Sequence, residues 1–204
     1  MSDIKTNAAS SAPRPLHELH GYAIVSGDGM IADASNTMPA ELKNERDWAY
    51  FQTELNLCQL VLVGRRSHEA APSTGKRRRV VMSRSASSLE FRNNVWWWNP
   101  QALTLSDALL HLLPEGGRVA VPGGQAVFDL LAQLKAFHTF HLSCVVGLKL
   151  PGGHPAFSAQ TTGASLASIL LAQGLKPHQT QVIDPSPLVT LQLWQRQAES
   201  NDSA

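Results

Sequence analysis

The stretch Arg118-Val119-Ala120-Val121-Pro122-Gly123-Gly124-Gln125-Ala126-Val127-Phe128-Asp129-Leu130 decides how this chain is read. A short apolar run stops at Gly123-Gly124 and resumes at helical spacing through Val127, Phe128, Leu130, Leu131 and Leu134. That order spells a strand, a turn without Cβ atoms and a helix start. Glycine lets a ligand come close to the backbone, and the first helical turn offers unpaired N–H groups at the positive end of the dipole. A phosphate suits such a place, although a Gly-Gly pair after a strand also serves as a plain turn. Its weight depends on whether other segments agree with it.

Outward from this stretch, short apolar runs alternate with amphipathic ones, the pattern of an α/β domain. Strands are expected at Tyr22–Val25, Leu60–Val63, Val80–Met82, Val95–Trp98, Val119–Val121, Thr139–Val145, Thr180–Ile183 and Leu188–Trp194. Helices are expected at Glu45–Leu55, Leu105–Leu112, Ala126–Lys135 and Leu166–Gln173. Thr104 or Ser106 can cap the second helix, and Gly174 can end the last. Asp184-Pro185-Ser186-Pro187 separates the final two strands, which predicts an antiparallel end to the sheet. Trp96 and Trp98 should share one face of their strand, with Trp97 on the other.

The 204 residues suffice for one domain with a full core. We expect that domain at 17–197, between a disordered tail at 1–16 and a loose end at 198–204. The leading residues lack the apolar centre of a secretory signal, which points to a cytoplasmic protein. No apolar run nears the roughly 18 residues of a membrane span. A net charge of +1 gives no broad field for nucleic acid or an anionic membrane. Cys58 and Cys144 sit far apart in apolar runs and read as buried free thiols, and no Cys/His grouping has metal-ligand spacing. The scattered histidines fall in no nucleophile motif, and His138 and His141 read as structural or exposed.

Four further segments should meet at the ligand-facing strand ends. Gly21–Pro39 leaves a strand and wanders through polar residues, as a lid would. In Asp47-Trp48-Ala49-Tyr50-Phe51 a carboxylate opens an aromatic helix, and Asp47 shares a helix face with Phe51. Such a carboxylate can pair with an amino-heterocycle, or it can simply be a solvated first-turn Asp favoured by the dipole. Val63-Gly64-Arg65-Arg66-Ser67 brings two guanidinium groups and a hydroxyl to a strand end, suited to bidentate phosphate contacts. Lys76-Arg77-Arg78-Arg79 reads as a solvated loop or a nucleic-acid contact, yet Ser83-Arg84 again follows a strand end. Two ends with Arg plus hydroxyl and a third with Gly-Gly make one extended dinucleotide site. The chain has no G-x-G-x-x-G run, so the scaffold is not of the usual Rossmann type.

In this order the segments resemble the dihydrofolate reductase-like superfamily, which also holds the reductase domain of riboflavin biosynthesis. The resemblance spans about Tyr22 to Trp194. Asp28-Gly29-Met30-Ile31-Ala32 and Asn36-Thr37-Met38-Pro39 match the two ends of the flexible loop. Gly152-Gly153-His154-Pro155-Ala156-Phe157 resembles the loop before the closing strands. The resemblance implies a single α/β domain, with a mixed, mostly parallel sheet flanked by helices and an antiparallel C-terminal strand.

It further implies an NADPH-dependent reductase that transfers a hydride to a C=N bond of a dihydropterin or dihydrofolate-like substrate. Asp47 would anchor the amino-pyrimidine edge, with Ser143 orienting it. Ile24, Trp48, Phe51 and Arg77 would contact the substrate, Arg77 through a carboxylate. NADPH would lie along Ala32, Gly64, Arg65, Arg66, Ser67, Ser83 and Arg84, then Gly123, Gly124, Gln125, Ala126 and Val127. Partners would be a small pterin or pyrimidine, with no nucleic acid, no membrane and no metal. Pairing of two copies is a further expectation, since riboflavin-type relatives pair through their sheets. Two departures stand out: Ala40 replaces the usual Trp after Met-Pro, and Phe128 replaces the usual Tyr after Gly-Gly.

Two alternatives belong beside this reading. Ser26-Gly27-Asp28-Gly29-Met30-Ile31-Ala32 suits the riboflavin branch, which reduces the ribosyl group of a phosphoribosylamino-pyrimidine. A non-catalytic NADPH-binding protein of the same fold is the other.

Overall fold

The computed structural model describes residues 15–197, and the residues read as loose tails, 1–14 and 198–204, lie outside it. Pro15 and Leu16, expected in the first tail, are described, and the Leu16 carbonyl already accepts a hydrogen bond from Gly117 N–H.

In chain order the strands are β1 (His17–Ser26), β2 (Met30–Ala32), β3 (Leu60–Gly64), β4 (Arg79–Met82), β5 (Leu89–Arg92) and β6 (Val95–Trp98). They continue with β7 (Gly117–Val121), β8 (Phe137–Val145), β9 (His154–Pro155), β10 (Leu175–Pro185) and β11 (Leu188–Arg196). The helices are α1 (Glu45–Asn56), α2 (Arg65–Ala70), α3 (Leu105–Leu112), α4 (Gln125–Gln133) and α5 (Leu166–Ala172).

Nine strands form one twisted sheet in the order β10-β11-β8-β1-β7-β3-β4-β6-β5. The centre is parallel, through β8, β1, β7, β3, β4 and β6. Antiparallel strands close both edges, β11 and β10 on one side and β5 on the other. This is the expected α/β class with antiparallel C-terminal strands. Among the described residues no helix is long and apolar enough to cross a membrane.

The sheet is covered on both faces, and its central strand β3 is apolar to match: every residue from Leu60 to Val63 is buried. One face packs Leu109 and Leu112 of α3, Val127, Phe128 and Leu131 of α4, and Leu170 of α5. The other packs Leu55 and Phe51 of α1 against Tyr22, Val61, Val63 and Val81. The tryptophan row splits as expected: Trp98 and Trp96 join the first cluster and Trp97 the second. Thr104 caps α3 by accepting from Asp107 N–H, and Gly174, at φ +80°, follows the end of α5. Cys58 and Cys144 are free and half-buried rather than buried.

Four short elements carry too little periodicity to be read from sequence. β2 and β9 pair with each other as a small separate sheet, Met30 beside Pro155 and Ala32 beside His154. That pairing pins the middle of the expected lid to the loop before the closing strands. β5 is the third, and the fourth is the six-residue α2, of which the sequence marked only the start at Arg65–Ser67.

Candidate functional site

The sheet order creates the site. After β1 the chain runs over one face as α1 and returns as β3, leaving β7 between them, while β8 lies on the far side of β1. Such a reversal opens a crevice at the carboxyl ends of the strands. A cleft of about 2260 Å³ lies there, lined from all of these ends.

One wall of the cleft is α1. Asn44 caps the helix by accepting from Arg46 and Asp47 N–H, and its own amide donates to Asp184 Oδ2 at 2.8 Å. The helix start is thus tied to the β10–β11 corner, and Asp47 is fixed in the first turn. Burial pushes the Asp47 carboxyl above its ordinary pKa, and the Ser143 hydroxyl works against that rise. Ser143 is itself buried on β8. The parallel register sets Ser143 beside Ile24 and His141 beside Tyr22. Alternate residues share a face, so all four form the floor beneath α1. Trp48 is exposed at the rim, with its ring 5.7 Å from that of Phe51.

Opposite lies the backbone of two strand ends and a helix start. Gly64 N–H donates to the Gly123 carbonyl at 3.3 Å. No side chain caps α4, whose N-cap is Gly124. A Cβ on Gly124 would come within 3.4 Å of Ser67 Oγ, and one on Gly64 within 3.4 Å of Val127 Cγ2. Gln125 spends its amide on the Pro155 carbonyl at 3.0 Å, which joins α4 to β9. The Gly123-Gly124 peptide is cis.

The basic end holds Arg65, Arg66 and Arg84 at the surface. Arg65 pairs with Glu69 at 3.5 Å, whereas Arg66 and Arg84 form no ion pair among the described residues. Ser83 is buried and shares a hydrogen bond with Ser85 at 2.9 Å. Arg77 donates to Asn56 Oδ1 at 2.7 Å, at the far end of α1.

Of the residues assigned to substrate or cofactor from the sequence, all but Gly123 line this cleft. Gly123 is buried behind it, with φ +101° and the Phe128 ring beneath. Sequence reasoning gave no site role to Tyr22, Tyr50, Glu54 or Arg79, and read His141 as structural or exposed, whereas it is buried and lines the cleft. Arg79 lines the cleft and donates to the Ala71 carbonyl at 2.6 Å. Tyr50 and Glu54 follow Asp47 by three and seven positions on one helix face, a signal that was available. Phe128 packs among Phe137, Phe140 and Phe157.

This architecture is the dihydrofolate reductase-like fold. Its overlay on a protein assigned to riboflavin biosynthesis in Shewanella sp. PV-4 has a TM-score of 0.65 at 15% identity, covering 89% of this chain and 99% of that one. A diaminohydroxyphosphoribosylaminopyrimidine deaminase/5-amino-6-(5-phosphoribosylamino)uracil reductase from Thermotoga maritima gives 0.63 at 14%, over 90% of this chain and 57% of its own. Dihydrofolate reductase from Enterococcus faecalis, solved with NADP(H), gives 0.61 at 15%, over 89% and 97%. At these identities the similarity is one of fold. No protein-family profile matches the chain, and no curated protein matches it by sequence.

Proposed function

We propose that this protein is an NADPH-dependent reductase acting on a C=N bond of a dihydropterin or dihydrofolate-like substrate. The observation that carries the reading is one cleft with two unlike walls. On one side stands a half-buried carboxyl, Asp47, among aromatic rings. On the other, an uncapped helix start follows a glycine pair and continues to unpaired arginines.

The residues present fit the cofactor. The Gly64 and Gly124 backbones form a cradle that side chains would narrow, and α4 offers its first-turn N–H groups to a pyrophosphate. Arg66, Arg84 and the hydroxyls of Ser67 and Ser83 would hold a further phosphate by charge-assisted hydrogen bonds. NADPH, when bound, supplies the hydride.

The chain's own work is binding and orientation. Asp47 would accept two hydrogen bonds from an amino-pyrimidine edge and favour a proton on that ring. Ser143 holds the carboxyl in place from below. Ile24, Trp48 and Phe51 exclude water from the ring, which strengthens the electrostatic hold of Asp47.

A second reading, reduction of a phosphoribosylamino-pyrimidine, is favoured by the turn after β1. Ser26 donates its hydroxyl to Asp28, and Asp28 also accepts Leu150 N–H at 3.1 Å, the arrangement that the Ser-x-Asp-Gly pattern of that branch would build.

The test is optical: NADPH oxidation with dihydrofolate, for wild type and Asp47→Asn. Turnover that collapses in the variant supports the first reading. Saturable NADPH binding without turnover on dihydrofolate sinks the folate assignment and moves the search to other dihydropterins and the riboflavin precursor. Binding without turnover on any of them leaves a non-catalytic binding protein.

A further inference from the structure

The face of α1 that carries Asp47 also carries Tyr50 and Glu54, and it lies over a buried histidine. Tyr50 Oη and His141 Nδ1 are 2.6 Å apart. Across the imidazole, Nε2 sits 3.9 Å from Glu54 Oε2 and has no hydrogen-bond partner among the described residues. Tyr22 donates its hydroxyl to that same Oε2 at 3.4 Å, and its ring stacks on the imidazole at 4.4 Å. His141 is only 6% exposed, yet it and Tyr50 both line the cleft.

This surrounding decides where the imidazole hydrogen sits. Burial first, then the positive charge of His20 and Arg118, push the His141 pKa down to about 3, so the ring is neutral and carries one N–H. A hydrogen on Nε2 faces the Glu54 carboxylate and is attracted to it. A lone pair there would be repelled. Nε2 therefore holds the hydrogen, and Nδ1 is an acceptor. The short contact to Tyr50 must then be carried by the tyrosine O–H. With its only proton turned inward, Tyr50 Oη presents lone pairs to the cleft.

We infer that Tyr50 is a specificity-determining residue: a fixed hydrogen-bond acceptor that selects a ligand edge bearing an N–H donor beyond those taken by Asp47. His141 and Glu54 are positioning residues that act through it. The inference rests on the proposed reading of the cleft as a pterin or pyrimidine site. A ligand amino group at this point gains a partner, whereas a carbonyl would face lone pair against lone pair and lose one. Burial, together with the charges of Glu54 and Asp47, pushes the Tyr50 pKa up, so the hydroxyl keeps its proton on His141.

Two measurements test this. The first needs no ligand: 15N shifts of His141 should report a neutral ring protonated at Nε2, and a hydrogen on Nδ1 would overturn the inference. The second compares 2,4-diaminopteridine with 2-amino-4-oxopteridine, probes in which a 4-amino donor is replaced by a 4-oxo acceptor and the adjacent ring N3 changes from acceptor to N–H donor. Tyr50→Phe and His141→Leu should bind the diamino probe about tenfold more weakly, the worth of one hydrogen bond, with the oxo probe less affected. His141→Asn, whose Oδ1 stands in for Nδ1, should stay within about threefold of wild type. Unchanged binding by Tyr50→Phe, or equal losses in His141→Leu and His141→Asn, would overturn the inference and leave the pterin reading intact. Wild-type protein that takes up NADPH but neither pteridine would overturn both.

Discussion

The Gly64 amide donates to the Gly123 carbonyl at 3.3 Å and so ties the end of β3 to the glycine pair after β7. Gly123 reaches this position at φ +101°, where a Cβ would stand 3.2 Å from the Phe128 ring. Gly123→Ala should cost about 1–3 kcal/mol of stability, from strain in a region L-residues avoid and from the crowded ring. It should also weaken NADPH binding by misplacing Gly124. Gly147→Ala, with nothing within 4 Å of the new Cβ, is the control and should stay within about 0.5 kcal/mol. Urea unfolding and a cofactor titration by fluorescence check both outcomes.

Asp47→Asn should lower kcat/KM by about a hundredfold or more while leaving NADPH affinity unchanged. The same change should raise Tm. Because burial raises the Asp47 pKa in the folded state, the folded protein binds this proton more tightly than the unfolded chain does. That contribution to stability is full below the unfolded pKa and is lost as pH rises through the folded one. At neutral pH the buried charge is a cost, and Asn removes it. Catalysis that needs the carboxylate should fade on acidification at a pH above the ordinary range of an Asp. A wild-type acid limb no higher than that of an exposed Asp would contradict this assignment.

Arg66 and Arg84 should set the preference for NADPH over NADH. Replacing either with Gln should weaken NADPH binding by about tenfold and change NADH binding little, since each supplies one charge-assisted contact to the additional phosphate. The loss should shrink at high salt, because both side chains are exposed. Calorimetric titration with the two cofactors at two ionic strengths reads all of this.

Acid should weaken the fold before the carboxylates titrate. His141 falls from an ordinary 6.5 to about 3, mainly through burial, and His20 and His138 are lowered by the same first cause. The unfolded chain therefore takes up protons that the folded one refuses. Stability present above pH 6.5 is lost on acidification, at up to about 1.4 kcal/mol per pH unit for His141, with His20 and His138 adding in the same direction. His141→Leu should make the slope between pH 6.5 and 4 shallower by up to that amount. Urea midpoints measured across that window provide the check.

Most elements were legible because their signals are local. The apolar run Leu60–Val63 is buried on both faces, so it reads as a strand from hydrophobicity alone. The predicted α3 matches the observed Leu105–Leu112 at both ends, since Thr104 caps it and its apolar residues recur at helical spacing. β1, β8 and β10 run longer than expected because His17, His20, His138 and His178 look polar in sequence, while a strand end is fixed by pairing with its neighbour. β2 and β9 were illegible for the opposite reason: three and two residues carry no period, and each exists only through the other.

By itself the sequence determined the alternation of strands and helices, the glycine pair at a helix start, and the placing of Arg and Ser at strand ends. These follow from propensity and from side-chain periods of two and 3.6 residues, which act between near neighbours. Only the tertiary structure decided what stands next to what. Tyr50 reaches a histidine 91 residues away, and Asp47 feels the Ser143 hydroxyl from β8. Both contacts depend on the order of β8, β1 and β7 in the sheet and on the register that sets His141 beside Tyr22. No short-range preference encodes that register; it is selected when the whole apolar face is buried at once. The same burial gives His141 a lowered pKa and Asp47 a raised one, so the chemistry of the cleft is a property of the packed sheet.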